Sequence, residues 1–404
     1  MTATTSSAQT LIDAIARDVT ELEPELIAHR RHFHQHPEIA FNEHGTTERV
    51  HDALTAAGIV TRRLDGTGLV AEIGPAQPVY RSALRADLDA LPIPERTGLE
   101  FASRTANVCH ACGHDVHTSA VLGAALALKR HEDQLEQMRT AVRFIFQPAE
   151  EVVPGGAHNV IDENALDSVD RVFALHCDPQ IDVGTVGLAA GPITAACDGI
   201  HVMVSGRGGH TSRPHLTQDV VFALAKIISE LPAVISRRLD PRAGATLVWG
   251  EVHAGNASNV IPAVGEAHGT LRILDAQAWD DVEALIEPTI HQIAAPYKVH
   301  VEVRHVRGVP PVVNDADAIA ALSHASLRAV GEHSVVPTRQ SMGGEDFSWM
   351  LRDRPGAMAR LGTRTPGGAT FELHQGDLVV DERAIGIGAR LLAGAAVVPP
   401  GPLA

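Results

Sequence analysis

Thr140–Glu151 reads TAVRFIFQPAEE, a short apolar run that stops on two adjacent carboxylates. Seven residues with no alternation of polar and apolar positions suit a strand covered on both faces, as in a parallel sheet. Working outward, Arg171–Leu175 (RVFAL) is a second such run and leads directly into His176. Tyr80–Ala86 is a third strand and leads into Asp87, with Asp89 two residues on; Leu69–Ile73 is a fourth. Helical patterns alternate with these strands. Gln9–Gln35 is expected to be helical, with Pro24 opening a second segment. Thr46–Ala57 is expected to be a helix that Gly58 stops, and His117–Lys129 is an Ala/Leu-rich helix. Alternation of this kind predicts an α/β fold with a mixed, mostly parallel sheet and helices on both faces. In such sheets ligands bind beyond the carboxyl ends of strands. Asp87, Glu150 with Glu151, and His176 are thus expected to meet at one rim.

The pattern changes near Gly191-Pro192. From Ile200 to about Val306 the order reads strand (IHVMVSG), helix (from Asp219), strand (TLVWGEV), strand (AHGTLRIL), helix (from Trp279), strand (VHVEVRHV). That β-α-β-β-α-β order closes a sheet by itself, as a ferredoxin-like unit does. Alternating elements resume after Pro310-Pro311. The expected organisation is a discontinuous catalytic domain, 10–193 and 308–398, with an inserted domain, 194–307.

A chain of 404 residues is too long for one ordinary core, and 45% apolar residues supply enough material for two. A formal net charge of −16 argues against nucleic-acid binding, which needs clustered cations. The N-terminus lacks a basic start followed by an apolar run, and no apolar stretch reaches membrane-spanning length, so a cytoplasmic location is expected. Four cysteines do not suggest a disulfide scaffold. Histidine is the anomaly: there are 23, many of them clustered.

The densest cluster is Cys109-His110-Ala111-Cys112-Gly113-His114-Asp115-Val116-His117. Thiolate, imidazole and carboxylate all ligate zinc-like metals. A redox Cys-x-x-Cys pair, or a Cys–His nucleophile, would read the same way. A lone acidic turn explains any one of Asp87, Glu150 or Glu151, but three strand ends delivering acids and a histidine weaken that reading. Glu372-Leu373-His374 adds a histidine near the C-terminus. In the inserted stretch, GRGGH (Gly206–His210), NVIP (Asn259–Pro262) and GTLR (Gly269–Arg272) read locally as turns and exposed strand charges. The run of His29, His32, His34 and His36 is expected near a helix end, with no metal.

Taken in order, RRHFHQHPE (Arg30–Glu38), LRADLDALP (Leu84–Pro92), HACGHDVHT (His110–Thr118), FQPAEE (Phe146–Glu151), LHCDP (Leu175–Pro179), GRGGHTSRP (Gly206–Pro214), NVIP, GTLR, GGEDFS (Gly343–Ser348) and LH (Leu373–His374) resemble the M20 metallopeptidase family, in its N-acyl amino acid amidohydrolase branch. The resemblance implies a zinc-peptidase-like catalytic domain and a smaller lid that often dimerises. It implies two divalent metal ions, zinc or manganese. Cys112 would bridge them, with His114 and His176 on one metal and Glu151 and His374 on the other. Glu150 matches the general acid/base and Asp87 a carboxylate that orients a ligand. His210 and Asn259 match oxyanion-stabilising residues, and Arg272 and Gly344 match substrate-binding positions. A cysteine at 112, where relatives use aspartate, favours the amidohydrolase branch over the dipeptidase and carboxypeptidase branches. The alternatives are a dipeptidase or carbamoyl-type amidohydrolase of the same family, or a non-catalytic binding homologue, against which the filled ligand and base positions argue. The implied activity is hydrolysis of a small N-acyl amino acid by a homodimer or higher oligomer, with no nucleic-acid or membrane partner.

Overall fold

The computed structural model describes residues 2–401, with side chains from Gln9 onward. The end of the Pro/Gly-rich C-terminal tail, Pro402 to Ala404, lies outside the described residues. Two compact units divide the chain.

The first unit comprises residues 1–191, 314–339 and 349–404. Its sheet has eight strands: β1 (Thr61–Arg63), β2 (Leu69–Ile73), β3 (Tyr80–Asp87), β4 (Thr140–Gln147), β5 (Arg171–Asp182), β6 (Val186–Leu188), β7 (Val335–Pro337) and β8 (Gly356–Arg364). They lie in the order β1-β2-β4-β3-β5-β8-β6-β7. β4, β3, β5 and β8 run parallel at the centre, and antiparallel pairings join β1 to β2, β2 to β4 and β6 to β8. β4 is buried at every position but Arg143, which is why its sequence shows no alternation. Asp87 is the last residue of β3, and Glu150 and Glu151 follow the end of β4 by a few residues. His176 departs from expectation. β5 runs on to Asp182 because β8 keeps pairing with it, Arg360 opposite His176, so this histidine lies within its strand.

Four helices bury one another beside this sheet: α1 (Thr2–Gln35), α2 (His114–Lys129), α3 (Ala316–Ala329) and α4 (Arg383–Ala396). Small residues let α2 sit close to α1; a Cβ on Gly123 would stand 2.5 Å from Leu26 Cδ1. α1 corrects the sequence reading, because Pro24 lies inside one continuous helix. An interior proline costs about 3 kcal/mol. The stripe Leu11, Ile12, Ile15, Val19, Leu22, Leu26 and Phe33 is buried, at roughly 1.5–3 kcal/mol per side chain, and outweighs it.

The second unit comprises Pro192–Val313 and Gln340–Ser348. Strands Thr246–Ala254, Val264–Ile273, Ala196–Ser205 and His300–Val309 lie side by side in that order, all antiparallel. Helices Val220–Arg238 and Ala276–Ala294 complete the β-α-β-β-α-β order along the chain. Ile200, Val202 and Val204 alternate inward, and Asp198 among them accepts hydrogen bonds from Trp279 Nε1 (2.9 Å), Gly308 N–H (2.9 Å) and His305 Nε2 (2.7 Å). This unit is wider than 194–307, and it recruits the GGEDFS segment, which the sequence placed in the catalytic domain. Backbone hydrogen bonds hold it there: Ala195 N–H to Gly343 O at 3.2 Å and Ser341 N–H to Ile193 O at 2.9 Å. Among the described residues no helix is long and apolar enough to cross a membrane.

Candidate metal centre

Gly113 turns the Cys109–Asp115 stretch into α2. Its φ is +86°, and a Cβ there would stand 2.8 Å from Cys177 Sγ, so only glycine fits. The turn places Cys112 and His114 side by side, and both are buried. β5 brings His176, whose Nε2 lies 3.5 Å from Cys112 Sγ. The turn after β4 brings Glu151, with Oε1 3.7 Å from His114 Nε2 and 3.3 Å from His374 Nε2. His374 adopts a left-handed φ of +60° and donates its N–H to Ala111 O at 2.7 Å, which ties the C-terminal loop to the cysteine loop. Two ligand triads result: Cys112, His114 and His176, and Cys112, Glu151 and His374. Within each, the ligand atoms lie within 4.8 Å of one another. Cys112 belongs to both.

Hydrogen bonding sets the imidazole tautomers. His114 Nδ1 faces Asp89 O at 2.9 Å and His176 Nδ1 faces Cys177 O at 2.9 Å. A carbonyl oxygen only accepts, so each Nδ1 carries a proton, and a ring in its neutral form would turn an Nε2 lone pair toward Cys112 or Glu151. His114 Nε2 and Glu151 Oε1 are buried and make no hydrogen bond. An orphan such as His114 Nε2 costs about 1–3 kcal/mol, and a cation between it and Glu151 Oε1, which otherwise faces His374 Nε2 at 3.3 Å, would satisfy it. The local charge points the same way. Burial, then Glu151, Glu150 and Asp87, push the Cys112 thiol well up. Burial opposes charge on His114, yet Asp87, Asp89 and Glu151 outweigh it and raise it to about 10. Burial and then Arg360 hold His176 well below its ordinary value. A pocket of this kind demands positive charge at its centre, and its S, N and O donors suit zinc-like divalent ions.

Glu150 Oε2 lies 4.0 Å from His114 Nε2. The N–H groups of Glu150 and Glu151 both donate to the Asp89 carboxylate, at 3.0 and 2.9 Å. Asp87 sits deeper. Its Oδ2 accepts from Arg85 Nη1 at 2.7 Å, and its Oδ1 lies 2.7 Å from His117 Nδ1. His117 Nε2 accepts the Cys177 N–H at 2.9 Å, so its Nδ1 must donate to Asp87. Asp87 therefore bonds His117 directly, and the candidate ligand His114 is farther away, its Nδ1 3.8 Å from Asp87 Oδ1. The sequence motifs contain His117 and Asp89 but assign neither a role. His117 follows His114 by three residues on a helix, a spacing that shares one face. Cys109 is a buried free thiol outside both triads.

The second unit gathers its own candidates into two groups. His210 pairs with Val260, and Thr211 N–H donates to Asn259 O at 3.2 Å, so His210 and Asn259 are neighbours. His210 Nδ1 accepts from Ser212 N–H at 3.1 Å and lies 2.8 Å from Ser212 Oγ. Arg272 pairs with Cys197 and donates to Met342 O. A Cβ on Gly344 would stand 3.2 Å from Cys197 Cβ, so Arg272 and Gly344 flank the same residue. Val264 pairs with Ser205 at the sheet end leading to His210, whereas Arg272 lies eight residues away along that strand. At roughly 3.3 Å per residue Val264 and Arg272 stand about 26 Å apart along the strand, and the His210–Val260 pairing is a separate two-stranded sheet beyond the Val264 end.

Comparison with known proteins shows what this arrangement resembles. The family model for peptidase family M20/M25/M40 matches residues 83–397. The N-acetyl-L-cysteine deacetylase of Bacillus subtilis (strain 168) is 37% identical, covering 91% of this chain and 86% of that protein. The crystal structure of the Bacillus subtilis YXEP protein, described as a dinuclear metal binding peptidase from the M20 family, superposes with a TM-score of 0.81 at 33% identity, over 94% of this chain and 98% of that one. A Rhodococcus jostii (strain RHA1) protein whose name describes a glutamate–cysteine ligase is 46% identical over 92% of this chain, which spans only 46% of that protein's length.

Proposed function

The chain belongs to peptidase family M20/M25/M40, and from that membership we propose that it is a metal-dependent amidohydrolase, cleaving N-acyl amino acids to a carboxylic acid and a free amino acid. The observation that carries this reading is the sharing of Cys112 by two ligand triads. Cys112, His114 and His176 would hold one divalent ion, and Cys112, Glu151 and His374 the other, as zinc or manganese. When bound, the pair supplies Lewis acidity, lowering the pKa of water from about 15.7 toward about 7 and polarising the amide carbonyl. Glu150 takes the proton of the attacking water and returns it to the leaving amine nitrogen, worth about 10²–10⁴ in rate. Asp89 keeps the carboxylates of Glu150 and Glu151 in place through their N–H groups, and Asp87 supports the cluster through His117. The second unit is read as a ferredoxin-like lid. His210 and Asn259 stabilise the oxyanion, and Arg272, beside Gly344, pairs with the substrate carboxylate. The deacetylase relative supports an acyl–nitrogen bond as the target.

The amide carbonyl and the carboxylate of an N-acyl amino acid lie only a few bonds apart, whereas Arg272 stands about 26 Å along its strand from Val264, the sheet end that leads to His210 and Asn259. We read that separation as too long for a single lid to bring both groups to one substrate molecule. We therefore read the working enzyme as a homo-oligomer in which one copy's His210 and Asn259 serve another copy's metal centre.

The test is a substrate panel on chelator-stripped protein with Mn, Zn or Co restored, spanning hippurate, N-acetyl amino acids, N-carbamoyl amino acids and dipeptides. Hydrolysis of N-acyl amino acids that vanishes on chelation and returns with metal is the expected result. Full activity in metal-free protein, or turnover confined to dipeptides, would reject the reading. Glu150→Ala is expected to retain two metals per chain by elemental analysis and lose about 10²–10⁴ in kcat; normal turnover would exclude Glu150 as the proton carrier.

A further inference from the structure

Glu43 lies 106 residues from the turn after β4 in sequence and touches none of the ligands. Its side chain is fully buried. Oε1 accepts the Ala149 N–H at 2.8 Å and the Phe41 N–H at 3.0 Å, and Oε2 accepts from Thr67 Oγ1 at 2.6 Å. Ala149 holds a left-handed φ of +54°, which L-residues other than glycine, asparagine and aspartate rarely adopt. Its carbonyl is also held, by Gly156 N–H at 2.8 Å. Asp89 takes the next two N–H groups. Two buried carboxylates thus hold three successive peptide N–H groups, at Ala149, Glu150 and Glu151. Side chains of adjacent residues point to opposite faces in extended backbone. Here both reach the same imidazole, at 4.0 and 3.7 Å from His114 Nε2, which needs the irregular turn.

We propose that Glu43 is a positioning residue for the metal centre: it holds Ala149 left-handed, so that the neighbouring acids Glu150 and Glu151 both enter the site, one as proton carrier and one as ligand. The division of labour rests on the proposed function; the geometry does not. Without Glu43, Ala149 loses the acceptor for its buried N–H and relaxes, and the two carboxylates shift together.

Glu43→Ala and Glu43→Gln separate this from simple stability. Glutamine keeps one oxygen for Ala149 and Phe41 and offers its amide N–H to the Thr67 hydroxyl. Each variant is loaded with Co(II), and its d–d and thiolate-to-cobalt bands are recorded beside kcat and KM on whichever N-acyl amino acid the wild type hydrolyses. Glu43→Ala is expected to keep wild-type far-UV circular dichroism and two Co(II) per chain. It shows altered d–d bands and a kcat lower by about 10–100-fold, the usual effect of losing a partner behind the ligands, with KM little changed. Glu43→Gln restores both. If Glu43→Ala does not fold, Glu43→Asp, one methylene too short to reach Ala149, takes its place with the same expectation. Unchanged spectrum and kcat in the alanine or aspartate variant, or a glutamine variant as impaired as they are, would overturn the proposal. If the wild type hydrolyses no N-acyl amino acid, the functional reading fails while the Co(II) spectra still decide the role of Glu43.

Discussion

Asp87 is a fully buried acid beside the candidate metal centre. It and Arg85 are fully buried, 2.7 Å apart, and His117 adds its Nδ1–H. Burial alone would raise its pKa, but His114, His117 and Arg85 hold it well below the carboxylate range. Removing one partner of a buried pair leaves the other charge uncompensated, at about 3–5 kcal/mol. Asp87→Ala is accordingly expected to lose about that much stability in urea unfolding of the metal-free protein; a loss below about 1 kcal/mol would show that Arg85 finds another partner. At this scale the chemical types were legible. Cys112, His114, Glu151, His176 and His374 are the residues the sequence singled out as ligands, and the fold brings their donor atoms together. What was not legible is how each is oriented. The proton on His114 is placed by Asp89 O and that on His176 by Cys177 O, and a backbone carbonyl leaves no mark on a motif. Glu43 was hidden for a related reason, since its partner is the N–H of Ala149, whose side chain says nothing.

Elements decide how these loops are held. α1 reaches the site through Arg30 and His34, which meet Asp115 at 2.7 and 2.8 Å, one residue past His114. From sequence those residues were only a histidine-rich helix end, because the contact spans more than eighty positions and depends on how α1 crosses α2. The same helix carries a titration signal of its own. His29 is pushed down to about 4, first by burial and then by Arg49, and His32 likewise to about 4 with His36 adding to it. Arg49 Nε and His29 Nδ1 are buried without a hydrogen-bond partner, and the half-exposed Glu25 carboxylate stands 3.9 Å from His29 Nε2, too far to hydrogen-bond it. A histidine whose folded pKa is depressed favours the folded state while neutral. Its contribution is complete above the unfolded value, near 6.5, and is lost as pH falls toward about 4. The urea midpoint should therefore decline between pH 6.5 and 4, and His29→Leu should flatten that decline without abolishing it, since His32 shares the effect. A variant with the wild-type pH slope would show that His29 takes no part. Strand ends were less legible than helices: β5 outruns its apolar core because β8 continues beside it, information that lies in another part of the chain.

Across the whole molecule, the two-unit organisation was legible because the order of elements changes at Gly191-Pro192, and each unit closes its own sheet. The return of Gln340–Ser348 to the second unit was not, because backbone hydrogen bonds to Ile193 and Ala195 hold it and no side-chain pattern encodes them. That return sets Gly344 beside Cys197, the residue opposite Arg272, and on the proposed function both would face the substrate carboxylate. His210 and Asn259 belong to a separate two-stranded pairing, reached from the end of Arg272's strand that lies about 26 Å away along it. If both groups act on one small substrate, they come from different copies, and this has a quantitative consequence. Glu150→Ala lacks the proton carrier but keeps a sound lid; His210→Ala lacks the lid histidine but keeps a sound metal centre. Each alone should be nearly inactive. In a twofold dimer reassembled at random from equal amounts, about half the dimers are mixed, and one of the two sites in each joins an intact metal centre to an intact lid. Activity should return to about a quarter of wild type after mild dissociation and reassociation of the mixture. Recovery no greater than the sum of the separate variants, in samples shown to exchange subunits, would mean that His210 serves its own chain or no active site. The 26 Å gap would then count against Arg272 as the carboxylate ligand.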